Sequence, residues 1–148
     1  MIGTYIGSIR LETLLGEGGM ATVHLGFDEK LERRVAVKTL HSQRRLGPEG
    51  RARFLREARL LSRLEHPHIC RVYDLVDGEA SDHLVLEYID GRTLREALDG
   101  PDDIDVLRIA EEVAGALGAA HRESGRRTRP LLAWAVRSRC QVNANRCH

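Results

Sequence analysis

At 148 residues the chain has room for one domain and a sizeable core, not for several. With 42% hydrophobic and 30% charged residues it has the make-up of a globular protein, and no apolar run approaches the length of a membrane-spanning helix. The formal net charge of +1 selects no partner class, yet it conceals an asymmetry: residues 124–148 hold six arginines and no Asp or Glu, so the remainder is net acidic.

Aromatic residues are only 4% of the chain, which leaves the core to Leu, Val, Ile and Ala. The opening residues lack a basic stretch followed by an apolar one, so no signal peptide is expected, and a cytoplasmic location is. Three cysteines, Cys70, Cys140 and Cys147, are an odd number without framework spacing, as in a reducing compartment. Cys140, Cys147 and His148 match no zinc spacing, and no metal site is expected.

In chain order, residues 9–15 (IRLETLL) read as a strand that enters a glycine cluster, GEGGMATVHLGF at 16–27. Residues 22–27 alternate as a second strand, 28–33 (DEKLER) form a charged turn, and 34–40 (RVAVKTL) alternate as a third. A polar loop at 41–49 precedes a helix at about 50–64, in which Phe54, Ala58, Leu61 and Leu64 recur at helical spacing. It ends ahead of Pro67, as expected upstream of a proline. Residues 70–76 and 83–89 read as two more strands around a turn at Asp77-Gly78. A short helix at 93–98 and a long one at 104–123 follow, the latter with an apolar stripe of Ile104, Leu107, Ala110, Ala114 and Leu117. Beyond Gly125 no periodicity persists.

A glycine-rich turn between antiparallel strands lets backbone N–H groups approach phosphate oxygens where a Cβ would block them. Gly16-x-Gly18 alone does not distinguish such a loop from an ordinary tight hairpin. A strand follows it, which excludes the dinucleotide-binding and Walker loops, since both of those open a helix. Lys38, on an apolar strand, wants an anionic partner or must reach solvent along its stem. Glu57, on the helix after that strand, offers a carboxylate or is an exposed helix glutamate.

Five pieces then fall in order: GEGGMATV, VAVKTL, FLREARLLSRLEHPHI, VYDL and LVLEYIDGRTL. Together they resemble the N-terminal half of a bacterial-type serine/threonine protein kinase, over roughly residues 5–124. The resemblance implies an α+β fold: a kinase-like N-lobe with a five-stranded antiparallel sheet and one helix at 5–90, the first helices of an incomplete C-lobe at 91–124, and an Arg-rich tail at 125–148. It implies ATP as ligand, with Gly16 and Gly18 over the phosphates and Leu15, Val23 and Ala36 roofing the adenine. Lys38 would hold the α- and β-phosphates and pair with Glu57. Leu86 would stand beside the adenine pocket, and the backbones of Glu87 and Ile89 would bond the adenine edge. Leu61 and Val72 would join an apolar spine. Ala21 stands where the family usually has its third glycine.

The family's H-R-D-L-K-x-x-N and D-F-G motifs do not occur in these 148 residues. His121-Arg122-Glu123 is followed by Gly125 and Thr128 where Lys and Asn are required, so the general-base Asp is absent. Magnesium is implied by the family, but its ligands are missing. The pattern stops where the composition changes, as a shifted reading frame or a truncation would produce. The expectation is therefore an ATP-binding kinase lobe without transferase activity of its own, which would act on a protein substrate only if a C-lobe were restored. The alternative is a non-catalytic, pseudokinase-like module that binds another kinase chain through its N-lobe. No membrane partner is expected. Nucleic acid is not expected either, because the Arg-rich tail has Trp134 as its one aromatic residue.

Overall fold

The computed structural model describes residues 2–17, 21–40, 43–78, 81–101 and 104–124. Gly18 lies outside the described residues, as does the tail at 125–148 with Cys140, Cys147 and His148. The chain divides into two compact units, one of residues up to 62 together with 72–88, the other of residues 63–71 together with those from Ile89 onward.

The first unit is an antiparallel sheet and one helix. Strands β1 (Tyr5–Ile6), β2 (Ile9–Glu17), β3 (Ala21–Asp28), β4 (Arg33–Leu40), β5 (Val72–Val76) and β6 (His83–Glu87) lie in the order β1-β2-β3-β4-β6-β5. The expected sheet of five strands is corrected to six, because two residues before the glycine loop pair as Tyr5 with Arg10 and Ile6 with Ile9. A two-residue strand has no period to read, so alternation cannot announce it.

Alternation dictates the rest. Ile9 and Leu11 on β2, Val35 and Val37 on β4, and Val85 on β6 pack with Ile6 into one buried cluster on a single face. Gly26 faces the same cluster, where a Cβ would stand 2.7 Å from Ile9 Cγ2. The glycine is what allows β2 and β3 to close there. At the β3–β4 turn, Asp28 accepts hydrogen bonds from Ser8 Oγ and from the amides of Lys30 and Leu31. Burial pushes the Asp28 carboxyl up, but those three bonds and the Arg33 charge outweigh it and hold it below the ordinary carboxylate range.

Helix α1 (Gln43–Leu61) begins earlier than the sequence suggests. A helical turn starts at Gln43, and Gly47 then breaks it with φ 63° and ψ 175°, a conformation only glycine adopts without strain. Pro48, with its fixed φ, restarts the helix. The expected loop at 41–49 is thus partly helical, and the helix stops at Leu61 rather than 64, with Ser62 Oγ donating to the carbonyl of Arg59. Phe54, Ala58 and Leu61 are buried as their spacing predicts.

The second unit holds α2 (Leu94–Leu98) and α3 (Val106–Ser124). Thr93 and Glu96 form a capping box: the Glu96 amide donates to Thr93 Oγ1, and the Thr93 amide and hydroxyl donate to Glu96 Oε2. Asp105 caps α3 by accepting from the Arg108 amide. His68 Nδ1 lies 3.5 Å from Glu112 Oε2, joining the 63–71 segment to α3. The predicted stripe on α3 is corrected. Leu107 is 79% exposed and Ala110 and Ala114 are exposed, while Ile109, Ala116 and Ala120 are buried. The buried face is rotated by roughly 120–140° from the predicted one. None of the described helices is long and apolar enough to cross a membrane.

Candidate functional site

The pleat decides which side chains share a face, and the register decides which are neighbours. On the face opposite the Val35–Val37 cluster, Gly16 pairs with Val23, Val23 with Lys38, and Lys38 with Leu84. These four residues from four strands form one row. Two residues along, Thr13 pairs with Leu25, Leu25 with Ala36, Ala36 with Leu86, and Leu86 with Val72, forming the adjacent row on the same face.

Six of the residues singled out by sequence therefore converge on this face: Gly16, Val23, Ala36, Lys38, Val72 and Leu86. Leu86 is 1% exposed and Ala36 8%, so the inner end of the surface is apolar and tightly packed. Val23 and Lys38 are half-buried. A Cβ at Gly16 would meet nothing within 4 Å, so the other end is open to a ligand. The face thus grades from an apolar floor, through a lysine, to a bare backbone.

Leu15 behaves differently. The β2–β3 register slips between Leu14 and Gly16, which leaves Leu15 at a bulge, unpaired across the strands and 46% exposed. A bulge bends the strand and re-aims the side chain it frees. Glu87 ends β6 opposite Val35 and is half-buried. Ile89 opens the second unit. Glu57 lies on α1, but its side chain falls outside the described residues.

Sequence reasoning passes over Leu84, fully buried and directly opposite Lys38. In the apolar run LVL, alternation gives no way to say which residue faces the lysine. It also passes over His24, 5% exposed on β3 between Leu14 and Val37 on the neighbouring strands. Its Nδ1 is buried without a hydrogen-bond partner among the described residues, and burial pushes its pKa below the ordinary histidine value. Among the described residues no group of three or more His, Cys, Asp or Glu could hold a metal ion.

Comparison with known proteins bears on what this face does. Residues 9–124 match the model of the protein kinase domain. The chain is 42% identical over 128 residues to the serine/threonine-protein kinase PksC of Streptomyces coelicolor, covering 78% of this chain and 23% of that protein. It is 37% identical over 126 residues to the serine/threonine-protein kinase PrkC of Bacillus subtilis, covering 82% of this chain and 19% of that one. It thus spans less than a quarter of the length of these relatives. Among solved structures, the Mycobacterium tuberculosis PknI kinase domain superposes with a TM-score of 0.69 at 29% identity, covering 84% of this chain and 52% of that one.

Proposed function

The chain belongs to the protein kinase domain family, and from that premise we propose that its sheet unit is the ATP-binding lobe of a serine/threonine protein kinase. The supporting observation is the pair of adjacent cross-strand rows. One sets Gly16, Val23 and Lys38 side by side, and the other sets Ala36 against Leu86. In this reading the adenine lies against Val23, Ala36 and the freed side chain of Leu15, with Leu86 closing the inner end. Ala36 fits the role because a larger side chain would stand out from the surface against which a flat ring must lie. The phosphates lie toward Gly16, with Gly18 in the same loop. There the backbone is bare and the Lys38 ammonium supplies positive charge in a partly dry setting. Glu57 pairs with Lys38 and holds it extended.

Among the described residues no cluster of His, Cys, Asp or Glu is suited to hold a magnesium ion. Phosphoryl transfer in this family depends on an Asp that orients the acceptor hydroxyl and on metal-holding Asn and Asp residues. The motifs that carry them do not occur in residues 1–148. Our reading is that these 148 residues bind nucleotide without transferring its phosphate. Protein Ser/Thr acceptors belong to a chain that also carries those motifs. The same absence favours a second reading, a non-catalytic module that pairs with an intact kinase. A stoichiometric complex with such a kinase that survives Lys38→Met would favour this second reading.

The test separates the two ends of the face. Calorimetric titration with ATP and with adenosine should show Lys38→Met weakening ATP by about ten-fold or more, the worth of one charge-assisted contact, while adenosine is unaffected. Equal affinities for ATP in wild type and variant would refute the assignment of Lys38. Lys38-dependent transfer of labelled phosphate to a generic protein acceptor would refute the non-transferring reading.

A further inference from the structure

Helix α1 reaches the sheet through a stripe that is not wholly apolar. Phe54, Ala58 and Leu61 are buried, and the same spacing carried back one turn arrives at Arg51. Arg51 grips Asp82 as a fork: Nε donates to Oδ2 at 2.7 Å and Nη2 donates to Oδ1 at 2.9 Å. Nη2 also reaches Asp77 Oδ1 at 3.4 Å. Asp82 is only 5% exposed, so its carboxylate is satisfied chiefly by this guanidinium. The same residue is tied to the lysine strand, since its carbonyl accepts from the amide of Leu40, two residues beyond Lys38. Next to it, His83 Nδ1 lies 3.0 Å from Thr39 Oγ1.

One residue therefore holds both carriers of the phosphate-binding pair. Its main chain holds the strand with Lys38, and its side chain holds the helix with Glu57. Apolar contacts at Phe54, Ala58 and Leu61 bury area but are non-directional, and would tolerate a helix turned or slid by a fraction of a residue. A bidentate guanidinium–carboxylate pair is planar and tolerates little. Position 57 lies less than two turns beyond Arg51, so a small rotation at the clamp is carried directly to it.

We propose that Arg51 and Asp82 are positioning residues, a clamp that sets the rotation of α1 against β4 and so delivers Glu57 to Lys38. This rests on the reading of Lys38 and Glu57 as a pair. The clamp does not touch nucleotide. It acts on the fraction of molecules in which the pair is aligned.

The experiment is zero-length cross-linking of the full 148-residue chain with a water-soluble carbodiimide, which joins an amine to a carboxylate only when they are in contact. Mass spectrometry reads the yield of the Lys38–Glu57 amide, and circular dichroism reads helix content. Wild type should give the cross-link. Arg51→Met should lower its yield by about three-fold or more, in proportion to the aligned fraction, at unchanged helix content. Arg51→Lys, which cannot form the fork, should fall between the two. Should Arg51→Met fail to fold, Asp82→Asn, which keeps the volume and one acceptor oxygen, carries the same expectation. Wild-type yield in both Arg51→Lys and Asp82→Asn overturns the clamp and leaves the pair standing. No Lys38–Glu57 product in folded wild type, while other carboxylates react, overturns the pair and the clamp with it.

Discussion

In the sheet unit Leu11, Val35, Val37 and Leu84 are all fully buried; Val35, Val37 and Leu84 are fixed by the register of the strands on either side, and Leu11 by its pairing with Gly26. In the helical unit α3 opens with Val106 at 57% and Leu107 at 79% exposure, and its buried face is mostly alanine. The first unit fixes its side chains by long-range pairing, which assigns each to a face and a neighbour at once. The second relies on local devices, the Thr93–Glu96 box and the Asp105 cap, which set where a helix starts but not which face it buries. A precise chemical surface is therefore found on the sheet.

Substitutions in the two units should differ accordingly. The largest effect is expected from Leu11→Ala, which opens a cavity in the sheet cluster and should cost about 2–5 kcal/mol in urea unfolding. Gly26→Ala should cost about 1–3 kcal/mol by the same measurement, because the new methyl collides with Ile9 and the strands must shift. Insensitivity to both would mean that the sheet is not what unfolds.

An effect of intermediate size comes from pH. Burial holds His24 below its ordinary value of 6.5, so the unfolded chain takes up that proton more readily than the folded one. Stability should be full above pH 6.5 and fall as the pH drops below it. His24→Leu should remove the part of that slope due to His24, leaving the part due to His83, which burial also pushes down against the opposing charge of Asp82. Thermal melts from about pH 7.5 to about pH 5 measure it, and an unchanged slope in the variant would mean that His24 is hydrated. The smallest effect is expected in the other unit, where Leu107→Ala should change stability by no more than about 0.5 kcal/mol. A loss like that of Leu11→Ala would erase the distinction between the units.

The same contrast governs what could be read from sequence. Alternation along ATVHLGFD and RRVAVKTL tells which residues share a face, and that is why Val23, Ala36 and Lys38 land together; it does not tell which face is the more buried, since Thr22, His24 and Asp28 are buried on β3 while Val23, Leu25 and Phe27 are half-buried. Strand β1 is too short to carry a period. The stripe on α3 is misread because Ile, Leu, Val and Ala occur all round the helix, and several faces qualify on spacing alone. Arg51 is missed for another reason. Its position on the apolar spacing is visible, but its partner lies between β5 and β6, 31 residues away, and no local pattern links an arginine to a particular distant aspartate. Gly47 and Pro48 are legible as a break, though not as a kink between helical turns, because Gln43 to Leu46 carry too little pattern to distinguish a turn of helix from a loop.

If the sheet unit holds the nucleotide, ATP must shield its strands from solvent. Hydrogen–deuterium exchange of the chain with and without ATP tests it most directly. Exchange should slow in the amides of β2, β3 and β4 around Gly16, Val23 and Lys38, an effect lost in Lys38→Met on the phosphate side, with α3 unchanged. Protection confined to residues 93–124, or none anywhere at saturating ATP, would contradict it.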